Sequence, residues 1–303
     1  MKAIICPKYG APEVVQLQEV AMPIPKKNEI RVRVHATTVT TGDCRVRAFN
    51  SPLSFWIPMR LFLGIFKPRQ PILGVELAGE VESVGQDVTR FKKGDRVFAL
   101  TGMRFGGHAE YACLPENSLV APMPDNVSYE EAAAVPFGGT TTLHFFRKGN
   151  LQRGYKVLIY GASGAVGTAA IQIAKYSGAE VTAVCSSANA ELVRSLGADH
   201  VIDYTKEDFW KRAERYDIVF DAVGKSTKSD CTEALAPGGR YLTVEGQGVV
   251  VERREDMYVL KELMEKGALK PVIDRRYAME QIVDAYRYVE SGRKKGNIII
   301  TIP

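Results

Sequence analysis

A glycine-rich turn at 161–167, with the sequence GASGAVG, constrains the fold of this chain more than any other feature. It follows an apolar run at 156–160 that is typical of a buried strand, and it precedes a helical pattern. Gly161 suits the tight turn from strand to helix, a side chain at Gly164 would obstruct an approaching phosphate, and Gly167 lets the helix lie close to the sheet.

The free N–H groups at the start of such a helix attract phosphate groups. The spacing is GxxGxxG and not the more common GxGxxG, but the strand before it and the helix after it are the context that supports the motif. The sequence therefore predicts a dinucleotide-binding turn, with contacts from Gly161, Ser163, Gly164, Ala165, Val166 and Gly167.

Strand and helix patterns alternate on both sides of this turn. The predicted strands are 156–160, 180–184, 200–203, 216–220 and 240–244, and the predicted helices are 165–177, 188–196, 206–213 and 226–235. Ser128 and Glu131 form a capping-box pattern that predicts the start of a further helix. Such alternation predicts an α/β domain with a doubly wound parallel sheet, covered by helices on both faces.

The first 125 residues follow a different sequence pattern. Short runs of alternating apolar and polar residues, such as 29–34, are separated by glycine and proline turns. They predict a small barrel-like β domain. The end of the chain contains a helical pattern at 279–291 and a strand pattern at 298–302, which we expect to rejoin the first domain. We therefore expect a β-rich domain at 1–125, completed by 274–303, and a nucleotide-binding domain at 126–273.

The passage after residue 244 conflicts with this pattern. Val249, Val250 and Val251 look like a sixth strand, but only the four residues 245–248 separate them from the predicted fifth strand. A parallel neighbour needs a crossover of roughly a dozen residues or more. Either these valines do not form a parallel neighbour, or the sequence lacks residues that the natural chain contains. We favour the second alternative, which an intact mass above that of 303 residues would support.

Composition and charge exclude several classes of protein. The chain is 46% apolar and 25% charged, which argues against disorder and collagen-like structure. The net charge of +5 is spread along the chain, so we expect no specific nucleic-acid partner. Five cysteines stand far apart without a CxxC pair, which disfavours a disulfide framework and fits a reducing, cytoplasmic location. Pro7 interrupts the N-terminus too early for a signal peptide.

The apolar and aromatic stretch at 51–66 is shorter than the about 20 residues that a membrane-spanning helix needs. It also contains Pro52, Pro58 and Arg60. We interpret it as a hydrophobic loop or helix over a pocket for a hydrophobic substrate, with plain core and a membrane-surface contact as alternatives. We expect no membrane partner.

The end of the second predicted strand bears on the choice of cofactor. An NAD site places a carboxylate there to hold the ribose hydroxyls. This chain has Ser186 and Ser187 instead, with no carboxylate before Glu191. Two small hydroxyl donors without a competing negative charge fit a 2′-phosphate, so we expect NADPH. Capping of the following helix is the alternative role for both serines, and the two roles are compatible.

Further motifs make the chain resemble the zinc-independent quinone oxidoreductases, or zeta-crystallin-like branch, of the medium-chain dehydrogenase/reductase superfamily. These motifs are GVELAGEVESVGQDVTRFKKGDRV at 74–97, GGHAEY at 106–111, EEAAAVP at 130–136 and KKGNIII at 294–300, besides the glycine turn. The resemblance implies a GroES-like β-rich catalytic domain with a Rossmann cofactor domain. It also implies a homodimer.

The resemblance also bears on zinc. The metal-dependent alcohol dehydrogenases of this superfamily carry a Gly-His-Glu triplet whose histidine binds the catalytic zinc, and here the triplet is Gly74-Val75-Glu76. The other two ligand positions fall near Thr40 and Pro136. None of these side chains is a usable zinc ligand, so we expect no metal.

The resemblance implies further cofactor contacts. Tyr204 is a candidate for the adenosine 2′-phosphate, with an ordinary aromatic position at a strand end as the alternative. Val223 and Gly246 follow two of the predicted strands and are expected to border the cofactor, because ligands bind beyond the carboxyl ends of the strands. Asn297 is a candidate for the nicotinamide region. Thr40 stands where relatives usually have asparagine.

Without a metal to polarise a plain carbonyl, hydride delivery to an electrophilic carbon is the easier chemistry. Quinones and α,β-unsaturated carbonyls are such substrates, and the oxyanion that forms needs a hydrogen-bond donor. Thr40, Thr140 or a cofactor hydroxyl could donate, and we favour Thr40. Asp43 is a candidate catalytic acid, with a turn acceptor as its alternative role. Two rival functions are a metal-free alcohol or aldehyde reductase and a non-catalytic NADPH-binding protein.

Overall fold

The computed structural model describes residues 1–50, 56–247 and 249–303. It divides into two compact units. The first unit contains Met1–Pro136 and Ile273–Pro303, and the second contains Phe137–Val272. Residues 126–136, which we expected in the cofactor domain, belong to the first unit in this division.

The first part of the chain forms seven strands and three helices among the described residues. They are β1 (Lys2–Ile5), β2 (Gln16–Glu19), β3 (Glu29–Thr38), α1 (Thr41–Ala48), α2 (Trp56–Leu63), β4 (Glu76–Val84), β5 (Arg96–Leu100), β6 (Tyr111–Pro115), β7 (Leu119–Pro122) and α3 (Tyr129–Ala133). The capping box that predicts α3 is present, since Ser128 accepts from the Glu131 amide and Glu131 accepts from the Ser128 amide.

The second unit then alternates between helix and strand, and the chain finally returns to the first unit. The alternating elements are α4 (Pro136–Lys148), β8 (Lys156–Tyr160), α5 (Ala165–Tyr176), β9 (Glu180–Cys185), α6 (Ala190–Ser195), β10 (His200–Asp203), β11 (Tyr216–Asp221), β12 (Leu235–Thr243) and α7 (Arg254–Glu265). The returning elements are β13 (Ile273–Ala278), α8 (Ile282–Glu290) and β14 (Asn297–Thr301).

The first unit is built on a seven-stranded sheet in the order β13-β14-β3-β4-β5-β7, with β6 also paired to β3. The terminal strand β14 pairs antiparallel with β3, which places Ile299 opposite Thr38. The strands β3 and β4 approach closely at Gly79, where a Cβ atom would lie 2.0 Å from the Arg33 carbonyl oxygen. Helix α3 packs against β3 and β4.

The second unit contains a five-stranded sheet in the order β10-β9-β8-β11-β12, and all its strand pairs are parallel. This confirms the predicted α/β fold with a parallel sheet. The central strand β8 buries Val157, Leu158 and Ile159 completely, as expected for a strand that is covered on both faces. The carboxyl ends of these strands lie at one edge, and the candidate site is built there.

Two predicted helices are wrong in extent. The range 206–213 forms only a 3₁₀ turn at Phe209–Lys211, and 226–235 forms only one at Thr232–Ala234. In the second range, Thr227 and Asp230 bond each other's backbone amides through their side chains. These reciprocal bonds are a capping box, which starts a helical turn at Thr227. The turn goes no further than Thr232–Ala234, because β12 already begins at Leu235.

The predicted sixth strand at 249–251 is also wrong. These residues form no strand, and Val249 and Val251 are 89% and 59% exposed. The five-stranded sheet therefore ends at β12, and the alternative that residues are missing here stays a prediction. The Val251 amide lies 3.3 Å from Nδ1 of His144 on α4.

Helix α7 is held after this short connection by a charged contact to α4. Both guanidinium N–H groups of Arg147 donate to the buried Asp256 carboxylate, at 2.7 and 3.1 Å. The same carboxylate accepts from the Arg253 amide at 3.1 Å and so caps α7. This bidentate contact fixes the start of α7 without a sixth strand.

Candidate functional site

The glycine turn connects β8 to α5 with two positions that the fold itself requires to be glycine. Gly161 has φ +77°, and a Cβ there would lie 2.4 Å from Cγ1 of Val223. A Cβ at Gly167 would lie 2.3 Å from the Gly161 carbonyl oxygen. At Gly164, by contrast, the only neighbour within 4 Å of a Cβ would be that oxygen, at 3.5 Å. Packing therefore explains Gly161 and Gly167 but leaves Gly164 open to an outside group.

The open position is next to backbone donors. Gly164 is the N-cap of α5, so the amides of Ala165, Val166 and Gly167 occupy its first turn, and Ser163 precedes the cap. The first N–H groups of an α-helix have no acceptor within the helix and attract anions. The turn can thus accept a pyrophosphate, and a Cβ at position 164 would fill the space that this group needs.

Helix α4 packs on the same turn of α5. A Cβ at Gly138 would lie 2.7 Å from the Ala165 carbonyl oxygen. The Thr142 hydroxyl donates to the Gly138 carbonyl oxygen at 2.8 Å. Thr140 lies between them in sequence, and its side chain is fully buried in α4. The contact between α4 and α5 therefore fixes the direction of the α5 N-terminus.

The ends of β9 and β10 meet the glycine turn. The Asn189 amide group donates to the Ser163 and Ser186 hydroxyls, at 3.1 and 3.3 Å. Ser187 donates its hydroxyl proton to Asp203, the last residue of β10. Tyr204 follows directly and is 50% exposed. The structure therefore brings Ser163, Ser186, Ser187 and Tyr204 together at one edge of the sheet.

The sequence analysis missed the Asp203 carboxylate at this edge. Hydrogen bonds from Ser187 and Thr205 hold the pKa of Asp203 below its usual range, so it is charged at neutral pH. The Lys206 ammonium lies 3.6 Å from the carboxylate and offsets part of this charge. The sequence prediction concerned the end of β9, whereas this carboxylate comes from β10, the strand paired with it.

Val223 and Gly246 follow β11 and β12. The buried Asp221 carboxylate accepts from the amides of Val223 and Gly224, which holds the turn beyond β11. The Val223 side chain borders Gly161, as the hypothetical Cβ contact shows. Gly246 has φ +76°, with nothing near its Cβ position. Both predicted residues thus lie beyond carboxyl ends of the sheet, where ligands bind in such folds.

In the first unit, Thr40 and Asp43 form the capping box of α1. The Thr40 hydroxyl donates to Asp43 Oδ2 at 2.6 Å and accepts from the Asp43 amide at 3.1 Å. The Asp43 carboxylate also accepts from the amides of Thr40 and Gly74, at 2.9 and 3.0 Å, and is fully buried. These contacts favour the turn-acceptor role for Asp43. The Thr40 hydroxyl already donates its proton to Asp43 in this arrangement. Catalytic roles for either residue stay predictions.

The residues near Thr40 do not fit a catalytic zinc. Val75 has no donor atom, the Glu76 carboxylate accepts from Thr38 Oγ1 at 2.5 Å, and Nε2 of His108 lies 2.8 Å from the Thr38 carbonyl oxygen. Among the residues that the structure describes, no three His, Cys, Asp or Glu side chains converge as metal ligands would. Burial raises the pKa of the Cys44 thiol to about 12.

Asn297 begins β14 and is buried, opposite Ile273 in the strand register. Close to it in sequence, Lys294 donates to the Gly296 carbonyl oxygen at 2.7 Å. Burial lowers the pKa of the Lys294 ammonium, and the charge of Glu76 acts in the opposite direction. The sequence analysis gave no role to Lys294, because nothing in its spacing indicates that Glu76 lies nearby.

Comparisons with known proteins agree with this architecture. Residues 26–125 match the alcohol dehydrogenase GroES-like domain, and residues 165–269 match the zinc-binding dehydrogenase domain. The 2-methylene-furan-3-one reductase of Solanum lycopersicum is 33% identical, over 99% of this chain and 79% of the relative. The chain therefore belongs to the medium-chain dehydrogenase/reductase superfamily, and it is an oxidoreductase of that type. The superfamily membership inferred from the motifs is confirmed.

Two further proteins are similar over most of their length. The chloroplastic NADPH-dependent alkenal/one oxidoreductase of Arabidopsis thaliana is 30% identical, over 99% of this chain and 79% of the relative. The structure of the quinone oxidoreductase from Coxiella burnetii is 25% identical, with a TM-score of 0.84, over 100% of this chain and 99% of that one.

The alignment with the tomato reductase spans 319 positions, more than the 303 residues of this chain. The relative thus contains residues without a counterpart here. Our hypothesis that residues are missing after Val244 stays a prediction that an intact mass would decide. In the part of the chain that the structure describes, no helix is long and apolar enough to cross a membrane.

The two kinds of glycine in the turn lead to a stability prediction. Gly167→Ala places a Cβ against backbone and should lower the free energy of unfolding by about 2–3 kcal/mol. Gly164→Ala meets only an ordinary contact and should cost less than about 1 kcal/mol, through the weaker N-cap. Urea unfolding followed by circular dichroism measures both. Equal losses for the two variants would contradict the account of the turn.

Proposed function

We propose that this chain is a zinc-independent oxidoreductase that transfers hydride from NADPH to a quinone or an α,β-unsaturated carbonyl compound. The observation that carries the proposal is the set of residues at the expected metal positions. Thr40, Val75 and Pro136 offer no zinc ligand, whereas the phosphate-binding turn retains an open Gly164. The chain thus combines a cofactor site with a first unit whose three expected metal positions offer no ligand for a zinc ion.

The choice of substrate class follows from this combination. Reduction of a plain carbonyl needs strong polarisation of its oxygen, which a metal would supply. In a quinone or enone, conjugation already makes a carbon electrophilic, so the protein needs to bind, orient and exclude water. NADPH would supply the hydride when bound, and a proton from solvent completes the reduction, at oxygen for a quinone and at the α-carbon for an enone. The names of the relatives refer to a methylene-furanone, to alkenals and enones, and to quinones, and they support the same substrate class.

This chain's residues perform the binding and orientation. The turn at 161–167 holds the pyrophosphate, the contact between α4 and α5 fixes its direction, and Val223 and Gly246 border the cofactor. Asn297 is assigned to the nicotinamide region, and Thr140 to the cofactor. Thr40 is assigned as the donor to the substrate oxygen, which requires its hydroxyl to turn away from Asp43 when substrate binds. The homodimer and the cytoplasmic location stay predictions.

The preference for NADPH rests on the edge formed by β9 and β10. Ser186 and Tyr204 place hydroxyl groups at this edge, and Lys206 brings a positive charge within 3.6 Å of Asp203. The Ser187 hydroxyl donates to Asp203 here and would have to turn toward a bound phosphate. A 2′-phosphate would accept hydrogen bonds from these groups. The negative charge of Asp203 would repel the 2′-phosphate. Hydrogen bonds from Ser187 and Thr205 and the charge of Lys206 compensate part of this negative charge.

The direct test is the rate at which chelator-treated enzyme oxidises NADPH, and NADH, with quinones, enones and plain aldehydes. The rate of NADP⁺ reduction with plain alcohols is measured beside it. We expect turnover of quinones or enones that survives the chelator and prefers NADPH. Turnover restricted to aldehydes or alcohols would favour a metal-free alcohol or aldehyde reductase. Tight NADPH binding with no turnover would favour the non-catalytic alternative, and loss of activity with the chelator would contradict the zinc-free site.

Tyr204 allows a matched test of the cofactor preference. Tyr204→Phe removes one hydrogen bond to the charged phosphate and should raise KM for NADPH by about tenfold, with KM for NADH unchanged. The control is Tyr176→Phe, because Tyr176 is equally exposed, at 51% against 50%, and lies on α5 away from this edge. Steady-state kinetics with both cofactors measures the effect. A KM for NADPH that Tyr204→Phe leaves unchanged would remove Tyr204 from the site.

A further inference from the structure

The first unit displays an unusual concentration of exposed apolar side chains, which we call the apolar ridge and define as Trp56–Phe66. Six of the sixteen large apolar side chains that are exposed among the described residues lie within these eleven positions. They are Trp56, Ile57, Leu61, Phe62, Ile65 and Phe66, and Phe66 is 87% exposed. Scattered single apolar residues are ordinary on a surface, but a contiguous patch marks an interaction site.

The ridge is held firmly from its inner side. The Arg60 guanidinium lies over the rings of Phe49 and Tyr9, with centroid distances of 3.8 and 4.7 Å. It also donates to the Ile65 carbonyl oxygen at 2.6 Å, and the Tyr9 hydroxyl donates to the Gly64 carbonyl oxygen at 2.8 Å.

The backbone also returns to the helix end, since the Arg69 amide donates to the Leu63 carbonyl oxygen at 2.7 Å. Leu63 itself is buried. Contacts on the inner side thus use Arg60 and Leu63, while Ile57 and Leu61, one helical turn apart, stay exposed on α2. The outer side chains are therefore exposed on a segment that hydrogen bonds and ring contacts hold in place.

The chain segment that contains the ridge carries charge of one sign, and one of its basic residues, Arg47, is buried against Glu290. Residues 44–75 contain five basic residues and no aspartate or glutamate. Two of the basic residues, Lys67 and Arg69, are exposed directly beside Phe66. A two-fold contact with a second copy would set this patch against itself and oppose these like charges. A negatively charged surface with an apolar interior complements both features of the ridge.

We propose that the apolar ridge docks this protein on the surface of an anionic phospholipid bilayer. Phe62 and Phe66 enter the boundary between headgroups and acyl chains, and Lys67 and Arg69 contact the anionic headgroups, as in interfacial amphipathic segments. The eight residues of α2 are too few to span a bilayer, so the contact lies in the interface plane. The proposal goes beyond the reductase function and replaces our expectation of no membrane partner. Residues 51–55 of the predicted apolar stretch lie outside the described residues and carry no part of it.

The test is flotation of the full chain with two kinds of vesicle, phosphatidylcholine alone and phosphatidylcholine with about one-third phosphatidylserine. We expect binding to the anionic vesicles and little binding to the neutral ones. Phe62→Ser combined with Phe66→Ser should lower the partition coefficient by about tenfold or more. Lys67→Glu combined with Arg69→Glu should lower it by about tenfold on anionic vesicles only.

The matched control is Ile24→Ser combined with Val249→Ser, which removes two apolar side chains that are 84% and 89% exposed elsewhere. It should bind anionic vesicles like the unchanged chain. Thermal unfolding of every variant shows that its fold is retained. Equal binding by the control and the phenylalanine double variant, or equal binding of the unchanged chain to both kinds of vesicle, would overturn the proposal.

A fluorescence measurement locates the contact independently of the variants on the ridge. The chain has two tryptophans, Trp56 on the ridge and Trp210 in the second unit, so Trp210→Phe leaves Trp56 as the only reporter. We expect its emission to shift to the blue with anionic vesicles and to be quenched by brominated lipid. Absence of both effects would contradict the proposal. A dimer in sedimentation that the phenylalanine double variant abolishes, without vesicle binding, would assign the ridge to a second copy instead.

Discussion

The close approach of α5 to β8 is the contact on which the cofactor unit depends. It exists because Gly167 has no side chain, so that the helix backbone comes within the distance at which a Cβ would overlap the Gly161 carbonyl oxygen. This approach directs the helix N-terminus at the space beside Gly164, and it places Val223 against the turn. The position of the amides that we propose to hold the phosphates follows from this glycine contact.

The first unit is organised by polar side chains that satisfy one another. Asp43 gathers the Thr40 hydroxyl and amide together with the Gly74 amide, and Glu76 accepts from Thr38. Buried carboxylates that receive several hydrogen bonds are stable where they are and do not need a metal to compensate their charge. These hydrogen bonds hold the start of α1 against the Gly74 amide and join β3 to β4 through Thr38 and Glu76.

Most of the second unit could be predicted from the sequence, because the βα alternation and the glycine turn are local signals. The strands at 156–160, 180–184 and 216–220 form with boundaries that differ by one residue at most. The helices expected at 206–213 and 226–235 form only short 3₁₀ turns, and β12 occupies the chain from Leu235 onward. The strand expected at 249–251 fails because four residues cannot make a crossover.

The site was predictable only where its residues follow a local pattern. The glycine turn, Ser186 and Ser187 lie at strand ends and could be found by position, whereas Asp203 joins them through pairing of β10 with β9. The hydrogen bond that occupies the Thr40 hydroxyl depends on a side-chain rotamer, which no spacing reveals. The outward exposure of the apolar ridge depends on Arg60, whose stacking on Phe49 is a tertiary contact.

The central claim is that hydride goes to a conjugated carbon without a metal, and its most direct measurement is the fate of deuterium. NADPH with deuterium at both C4 positions is incubated with the chelator-treated enzyme and a simple enone, and the product is analysed by NMR. The account predicts a saturated ketone with deuterium at the β-carbon. An allylic alcohol with deuterium at the carbonyl carbon, or an unlabelled product, would contradict it.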